Sequence, residues 1–220
     1  MHRGTFITLE GGEGTGKTTQ GLLLAERLRS AGLDVVVTRE PGGAPFAERL
    51  RDLILSEKPQ AQLSEMLVFA AARAEHLEVT VRPALALGQV VICDRFIDST
   101  RVYQGTLGGL APDTIGRVEQ VSTAGLLPAL TLVFDADVGV ARVRAATRGG
   151  ENRFDAAQSA DYDAIRRGFL DIAAQEPDRC RVVDASQAVE AVAADVWRIV
   201  SSRFAIDCWA LGDPVKRPLV

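Results

Sequence analysis

Residues 5–19 read Thr5-Phe6-Ile7-Thr8-Leu9-Glu10-Gly11-Gly12-Glu13-Gly14-Thr15-Gly16-Lys17-Thr18-Thr19. The first six form a β-rich run, and glycines follow at once, so a strand gives way to a loop. From Lys17 the pattern changes. Leu24, Leu28 and Ala31 recur at helical spacing and Gly32 ends the helix. Residues 11–18 fit G-x-x-x-x-G-K-[ST] at every fixed position. The chemistry explains the residue types. Glycines let successive backbone N–H groups converge on phosphate oxygens without a Cβ in the way. The helix start adds positive potential. Gly11, Gly12, Glu13, Gly14, Thr15, Gly16, Lys17, Thr18 and Thr19 are therefore the expected nucleotide cradle. Lys17 should reach the β- and γ-phosphates, and the Thr18 hydroxyl should ligate Mg2+.

Working outward, residues 33–38 (LDVVVT) read as a second strand, uniformly apolar as in a sheet covered on both faces. Residues 46–55 suit a short helix and 63–87 a long one, which Pro83 should kink or reset. Residues 90–93 (VVIC) form a third strand. A glycine-rich loop over 105–112 precedes a helix over 113–123. A fourth strand spans 130–134, with a helix over 138–147. Residues 148–155 are polar. A helix over 161–175, a strand over 181–183 and a helix over 188–204 complete the chain. Five strands alternating with helices imply an α/β fold: three layers, a parallel sheet flanked by helices on both faces. The expectation is one domain over 1–205, with a small mobile lid at about 142–155 and an unassigned tail over 206–220.

The 220 residues carry a net charge of −4, with 47% hydrophobic and 25% charged residues and no block of like charge. No basic face is evident, so neither nucleic acid nor a membrane surface is an expected partner. Cys93, Cys180 and Cys208 are odd in number and widely spaced, as in a reducing compartment. The N-terminus carries no signal peptide and no run approaches a membrane span, so a cytoplasmic location is expected.

Asp94 and Arg95 close the third strand. In a parallel sheet the carboxyl ends of strands face the ligand crevice. Asp94 can hold magnesium or its waters, and Arg95 can fork onto a phosphate. No Asn-Lys-x-Asp guanine-reading motif is present, and no glycine follows Asp94 at the third position. That disfavours a GTPase, and a motor would need a second domain. A small-molecule kinase fits better, because it needs basic residues that close over ATP and exclude water. Arg142, Arg144, Arg148 and Arg153 fall together across Gly149-Gly150. Phe69 and Arg73 lie four apart on a helix, so they share a face, a ring beside a fork of donors.

With these residues the chain resembles the bacterial thymidylate kinases, over about 3–205. The motifs that carry the likeness are Phe6-Ile7-Thr8-Leu9-Glu10-Gly11 with the phosphate loop, Thr38-Arg39-Glu40-Pro41-Gly42-Gly43, and Phe69-Ala70-Ala71-Ala72-Arg73. Asp94-Arg95-Phe96 with Ser99-Thr100 and Tyr103-Gln104-Gly105 adds a fourth, and the segment Arg148-Gly149-Gly150-Glu151-Asn152-Arg153-Phe154 a fifth. The resemblance implies a nucleoside-monophosphate-kinase-like P-loop NTPase fold, a homodimer, and transfer from ATP with Mg2+ to dTMP. It implies that Glu13 lies near the dTMP sugar and phosphate, and that Arg95, with Arg39 and Arg51, grips the acceptor phosphate. It puts Phe69 on thymine and Arg73 on a thymine carbonyl. Ser99, Thr100 and Gln104 fall around the nucleotide, Tyr103 against the deoxyribose, and Pro41 in the acceptor loop. No basic residue occupies Gly12, Glu13, Gly14 or Thr15, so the catalytic arginine should come from the lid, from Arg148 or Arg153. One departure is Phe96, where the family often has Tyr or His, so a polar contact is lost.

A phosphate acceptor is already an ionised nucleophile and needs no strong base. His2 and His76 lie near no predicted motif. The competing readings are a kinase of another nucleoside monophosphate or small acid, and a non-catalytic nucleotide-binding regulator. The second would be expected to lose Asp94-Arg95 or the lid arginines, which this chain keeps.

Overall fold

The computed structural model describes residues 4–57, 59–147 and 159–206. The first strand, β1 (Thr5–Glu10), is buried almost throughout. It is followed by α1 (Lys17–Ser30), β2 (Val35–Arg39), α2 (Pro45–Ser56) and α3 (Gln62–His76). A π-helical turn (Leu77–Val81) leads into α4 (Arg82–Ala86), then β3 (Val90–Asp94) and α5 (Ile97–Thr100). A second π-helical stretch (Arg101–Leu107) precedes α6 (Pro112–Thr123), β4 (Leu130–Asp135), α7 (Val138–Thr147), α8 (Ser159–Gln175), β5 (Cys180–Asp184) and α9 (Val189–Phe204). All strand pairings are parallel, in the order β2-β3-β1-β4-β5. The expected layered α/β architecture is therefore present.

The alternation of side chains along β1 divides the core. Ile7 and Leu9 face one side, where Leu24, Ala25 and Leu28 of α1 pack with Val192, Val196, Val200 and Phe204 of α9. Phe6 faces the other side, against Leu77, Val81, Ala84, Phe96 and Ile97. A third cluster joins Val133 to Ile165 and Phe169 of α8 and to Val102. Burying a side chain of this size contributes about 1.5–3 kcal/mol. Phe6 and Phe96 meet edge-to-face, with centroids 5.0 Å apart.

Several sequence expectations are corrected here. β2 is an edge strand, so it is only half covered, and Val37 stands exposed. A run of valines does not reveal on which side of the sheet a strand will end. The long helix expected over 63–87 does run from Gln62 to Ala86 and is reset near Pro83 as expected, at the π-helical turn. Pro83 then sits in the first turn of α4, where its missing N–H breaks no helical bond. The glycine-rich segment from 105 begins inside a helical stretch instead of a loop. Ile206, beyond the expected domain end, is buried against the α1–α9 cluster.

Candidate active site

The phosphate loop joins β1 to α1 at the carboxyl edge of the sheet. Gly14 has φ +74, and a Cβ there would lie 2.0 Å from the Ala141 carbonyl oxygen, so only glycine lets the loop pass beneath α7. Lys17 is buried and folds over the loop, donating to the carbonyls of Gly11 (2.9 Å) and Gly12 (2.6 Å). Burial, then the neighbouring Arg95 charge, lowers its ammonium to about 8. Thr18 Oγ1 donates to Asp94 Oδ2 at 2.5 Å, which brings the two expected metal ligands together from α1 and β3.

Arg95 follows β3 with φ +72, the left-handed region. For a residue with a Cβ this strain is of order 1–3 kcal/mol. The surroundings hold it there. Its N–H bonds to Leu9 O (2.9 Å), and Nη1 donates to Gly11 O (3.2 Å) and Ser99 Oγ (3.1 Å). Nη2 pairs with the Glu13 carboxylate. Burial opposes its charge, but Glu13 and other acidic neighbours hold its pKa above the ordinary range. Below it, Glu10 accepts from the N–H of Phe96 (2.7 Å) and of Ser99 (3.2 Å) and from the Ser99 hydroxyl (2.6 Å). Burial, and then Asp98, pushes that carboxyl up to about 7.

A single cavity of about 730 Å³ runs past these groups. One end is lined by Arg39, Pro41 and Arg51 on the loop and α2, by Phe69 and Arg73 on α3, and by Arg95, Ser99, Thr100, Tyr103 and Gln104. Arg51 is half-buried and donates to Pro41 O (2.8 Å). Burial first, then the charges of Arg39 and Arg95, lowers its pKa. Cations gathered so closely that they disfavour one another mark a place for an anion. Arg39 is exposed and pairs with Glu48 (2.9 Å). Arg73 is buried; its Nε bonds to Glu40 (2.7 Å) and its Nη2 to Thr100 Oγ1 (2.9 Å) and Phe96 O (3.2 Å). Gln104 donates to Glu65 (3.0 Å). Burial pushes the Tyr103 hydroxyl up to about 12, and its ring lies 5.3 Å from the Arg95 guanidinium carbon.

The predicted residues from Glu13 to Thr19 and the whole expected acceptor set thus line one cavity, while Gly11 and Gly12, at the start of the loop, line a smaller one beside Val133 and Phe134. Arg148 and Arg153 lie outside the described residues, as does most of the expected lid. Arg142 stacks over Tyr162, and Arg144 bonds to the carbonyls of Ala185 (2.6 Å), Ser186 and Gln187. Phe96 is buried and has Arg73 over its ring at 5.1 Å, a contact that the expected loss of a polar partner overlooked. The expectation that His76 lies near no motif is also wrong. It contacts Thr38 (2.8 Å) and Glu40 (3.0 Å), because α3 packs beneath the loop after β2.

Sequence reasoning missed the far wall of the cavity: Gln20, Ala185, Gln187, Ala188, Val189 and Val192. Gln20 Nε2 donates to Val189 O (2.9 Å) and ties α1 to α9. A usable signal existed, since the segment after the fifth strand also leaves the carboxyl edge of the sheet.

A family model described as Thymidylate kinase matches residues 9–196. The thymidylate kinase of Ectopseudomonas mendocina is 49% identical over 201 residues, covering 90% of this chain and 96% of that protein. That of Caulobacter vibrioides is 45% identical over 208 residues, covering 94% and 100%. The crystal structure of thymidylate kinase from Ehrlichia chaffeensis superposes with a TM-score of 0.75 at 34% identity, covering 90% of this chain and 99% of that one. A complete phosphate loop, a second cluster of cations and an aromatic wall in one cavity agree with these matches, and the chain belongs to the thymidylate kinase family.

Proposed function

We infer that this chain transfers the γ-phosphoryl group of ATP to dTMP, giving dTDP and ADP. The observation that carries the reading is the cavity itself. It joins a triphosphate loop to a separate anion site at Arg51 and Arg95, and that site continues to Phe69 and Arg73. The far wall, at Arg144 and residues 185–192, leaves room for the base of the donor.

Each residue has a distinct task. Gly11 to Thr19 and Lys17 hold the triphosphate. Arg95, anchored by Glu13, grips the acceptor phosphate with Arg51 and Arg39. Phe69 stacks on thymine. Arg73 has Nε and Nη2 engaged by protein acceptors, which leaves Nη1 for a base carbonyl. Tyr103 lies against the sugar, with Pro41, Ser99, Thr100 and Gln104 around it. The acceptor oxygen is already ionised, so catalysis is positioning and charge neutralisation, and no base is needed. Arg148 and Arg153 are the proposed lid arginines, since the phosphate loop has no cation other than Lys17.

Thr18 and Asp94 suit a hard cation. A hydroxyl and a carboxylate oxygen meet at the cavity, and no group of three or more acidic, histidine or cysteine ligands occurs among the described residues. Two protein oxygens with phosphates and water completing the shell is the way Mg2+ is commonly held. Bound there, Mg2+ would neutralise phosphate charge.

We also assign a homodimer. Phe46 and Leu53 on α2 and Leu63 and Leu67 on α3 stand exposed on two helices that pack together. Among the described residues no helix is long and apolar enough to cross a membrane. Free buried Cys93 and Cys180 suit the cytoplasm.

The test is a coupled ADP-release assay with dTMP, dUMP, UMP, AMP and GMP. The reading expects dTMP to be the best acceptor. A higher kcat/KM for UMP, AMP or GMP would refute it and leave phosphoryl transfer standing.

A further inference from the structure

His76 ends α3, the helix that carries Phe69 and Arg73, and it is 0% exposed. Its ring bridges the end of β2, at Thr38, and the loop that follows it, at Glu40. Nδ1 lies 3.0 Å from Glu40 Oε1, and Nε2 lies 2.8 Å from Thr38 Oγ1. The other oxygen of Glu40 accepts from Arg73 Nε at 2.7 Å. A carboxylate only accepts, so Nδ1 carries the proton toward Glu40, and in the neutral ring Nε2 accepts from the Thr38 hydroxyl. The loop closes tightly over this ring. A Cβ on Gly43 would lie 2.5 Å from His76 Cδ2 and 2.4 Å from Thr38 Oγ1. An unbroken chain thus runs from half-buried Thr38 through buried His76 and Glu40 to Arg73, and Arg73 faces the cavity.

A guanidinium can rotate about its stem, so a fork that reads a flat base needs its plane fixed. Glu40 fixes the Nε edge, while Thr100 and the Phe96 carbonyl fix Nη2. Glu40 itself sits 5% exposed, and its second oxygen has His76 as partner. Remove that partner and the carboxylate must turn or stay partly unsatisfied, either of which loosens its grip on Arg73.

We propose that His76 is a positioning residue for acceptor recognition, holding Glu40 so that Glu40 holds Arg73 in the plane of the base. The inference rests on the reading of Arg73 as the base-contacting arginine.

The test is steady-state kinetics on His76→Leu, His76→Asn, Arg73→Ala and the double variant His76→Leu/Arg73→Ala. His76→Leu should raise the KM for dTMP about tenfold, with kcat and the KM for ATP within about threefold, as expected for an interaction made equally in ground and transition states. His76→Asn keeps a donor near Glu40 and should recover most of the loss. In the Arg73→Ala background, His76→Leu should have no further effect on dTMP, since paired residues are non-additive. If His76→Leu raises the KM by the same factor with or without Arg73, it does not act through Arg73 and the proposal is overturned. If Arg73→Ala leaves the KM for dTMP unchanged, the base-contact reading fails first and takes this proposal with it. Should His76→Leu fail to fold, His76→Phe, which keeps a ring and loses both nitrogens, replaces it in the same cycle, with the same two outcomes deciding.

Discussion

Thr18 Oγ1 and Asp94 Oδ2 meet at 2.5 Å at the carboxyl edge of the sheet, the hydroxyl from α1 and the carboxylate from β3. β3 is hydrogen-bonded beside β1, with Leu9 paired to Asp94, so the sheet register sets this meeting. Asp94→Asn keeps the shape and removes the charge. It should lower kcat at least tenfold and raise the Mg2+ concentration needed for half-maximal rate, and chelation should abolish turnover by the wild type. Activity measured against free Mg2+ reads this. An unchanged Mg2+ dependence in the variant would remove Asp94 from the metal site.

Lys17 gives a pH signature. Burial and Arg95 hold its pKa to about 8 in the free protein, so a part of the lysine is neutral there. A bound triphosphate favours the charged form. ATP binding at pH 8 should therefore take up protons, and ATP affinity should fall as pH rises through that value. Calorimetry in two buffers of different ionisation heat measures the uptake, and none would contradict the assignment. Lys17→Ala should lose the uptake and several powers of ten in rate while keeping its fold.

Phe69 should act on the acceptor alone. Phe69→Ala is expected to raise the KM for dTMP about tenfold or more and to leave the KM for ATP nearly unchanged, because in the proposed arrangement the ring meets only the acceptor. In the wild type, dUMP should be weaker than dTMP by about 1–3 kcal/mol, the worth of one methyl group in an apolar pocket. Equal effects of Phe69→Ala on both substrates would sink the stacking role.

Leu67 is 50% exposed on α3. Placing a charge there should cost little in a monomer and much in a buried interface. Leu67→Glu is expected to shift the protein from dimer to monomer at micromolar concentration in sedimentation velocity, with the helical content kept. A wild type that sediments as a monomer would refute the assembly.

The phosphate loop, the alternation of strands and helices, and the shared helix face of Phe69 and Arg73 could be read in the sequence, for a physical reason, whereas the other residues proposed around the acceptor came from the family resemblance. A loop that presents backbone N–H groups to phosphate needs glycine at fixed places, as at Gly14. Periodicity exposes one face of α3, so Phe69 and Arg73 declare themselves as neighbours. Such constraints act between residues close in the chain, and a local pattern records them.

Tertiary structure alone decided the rest. The valines of β2 look the same at an edge as at the centre, and only the order β2-β3-β1-β4-β5 distinguishes them. His76 looked idle because its partners Thr38 and Glu40 lie far back in the chain, and packing of α3 under that loop creates the contact. The wall at Gln20 and 185–192 joins the two ends of the chain across the sheet. No local pattern records which distant segments will meet. That is fixed by burying Phe6, Leu9 and Phe134 against the particular helices that fit them.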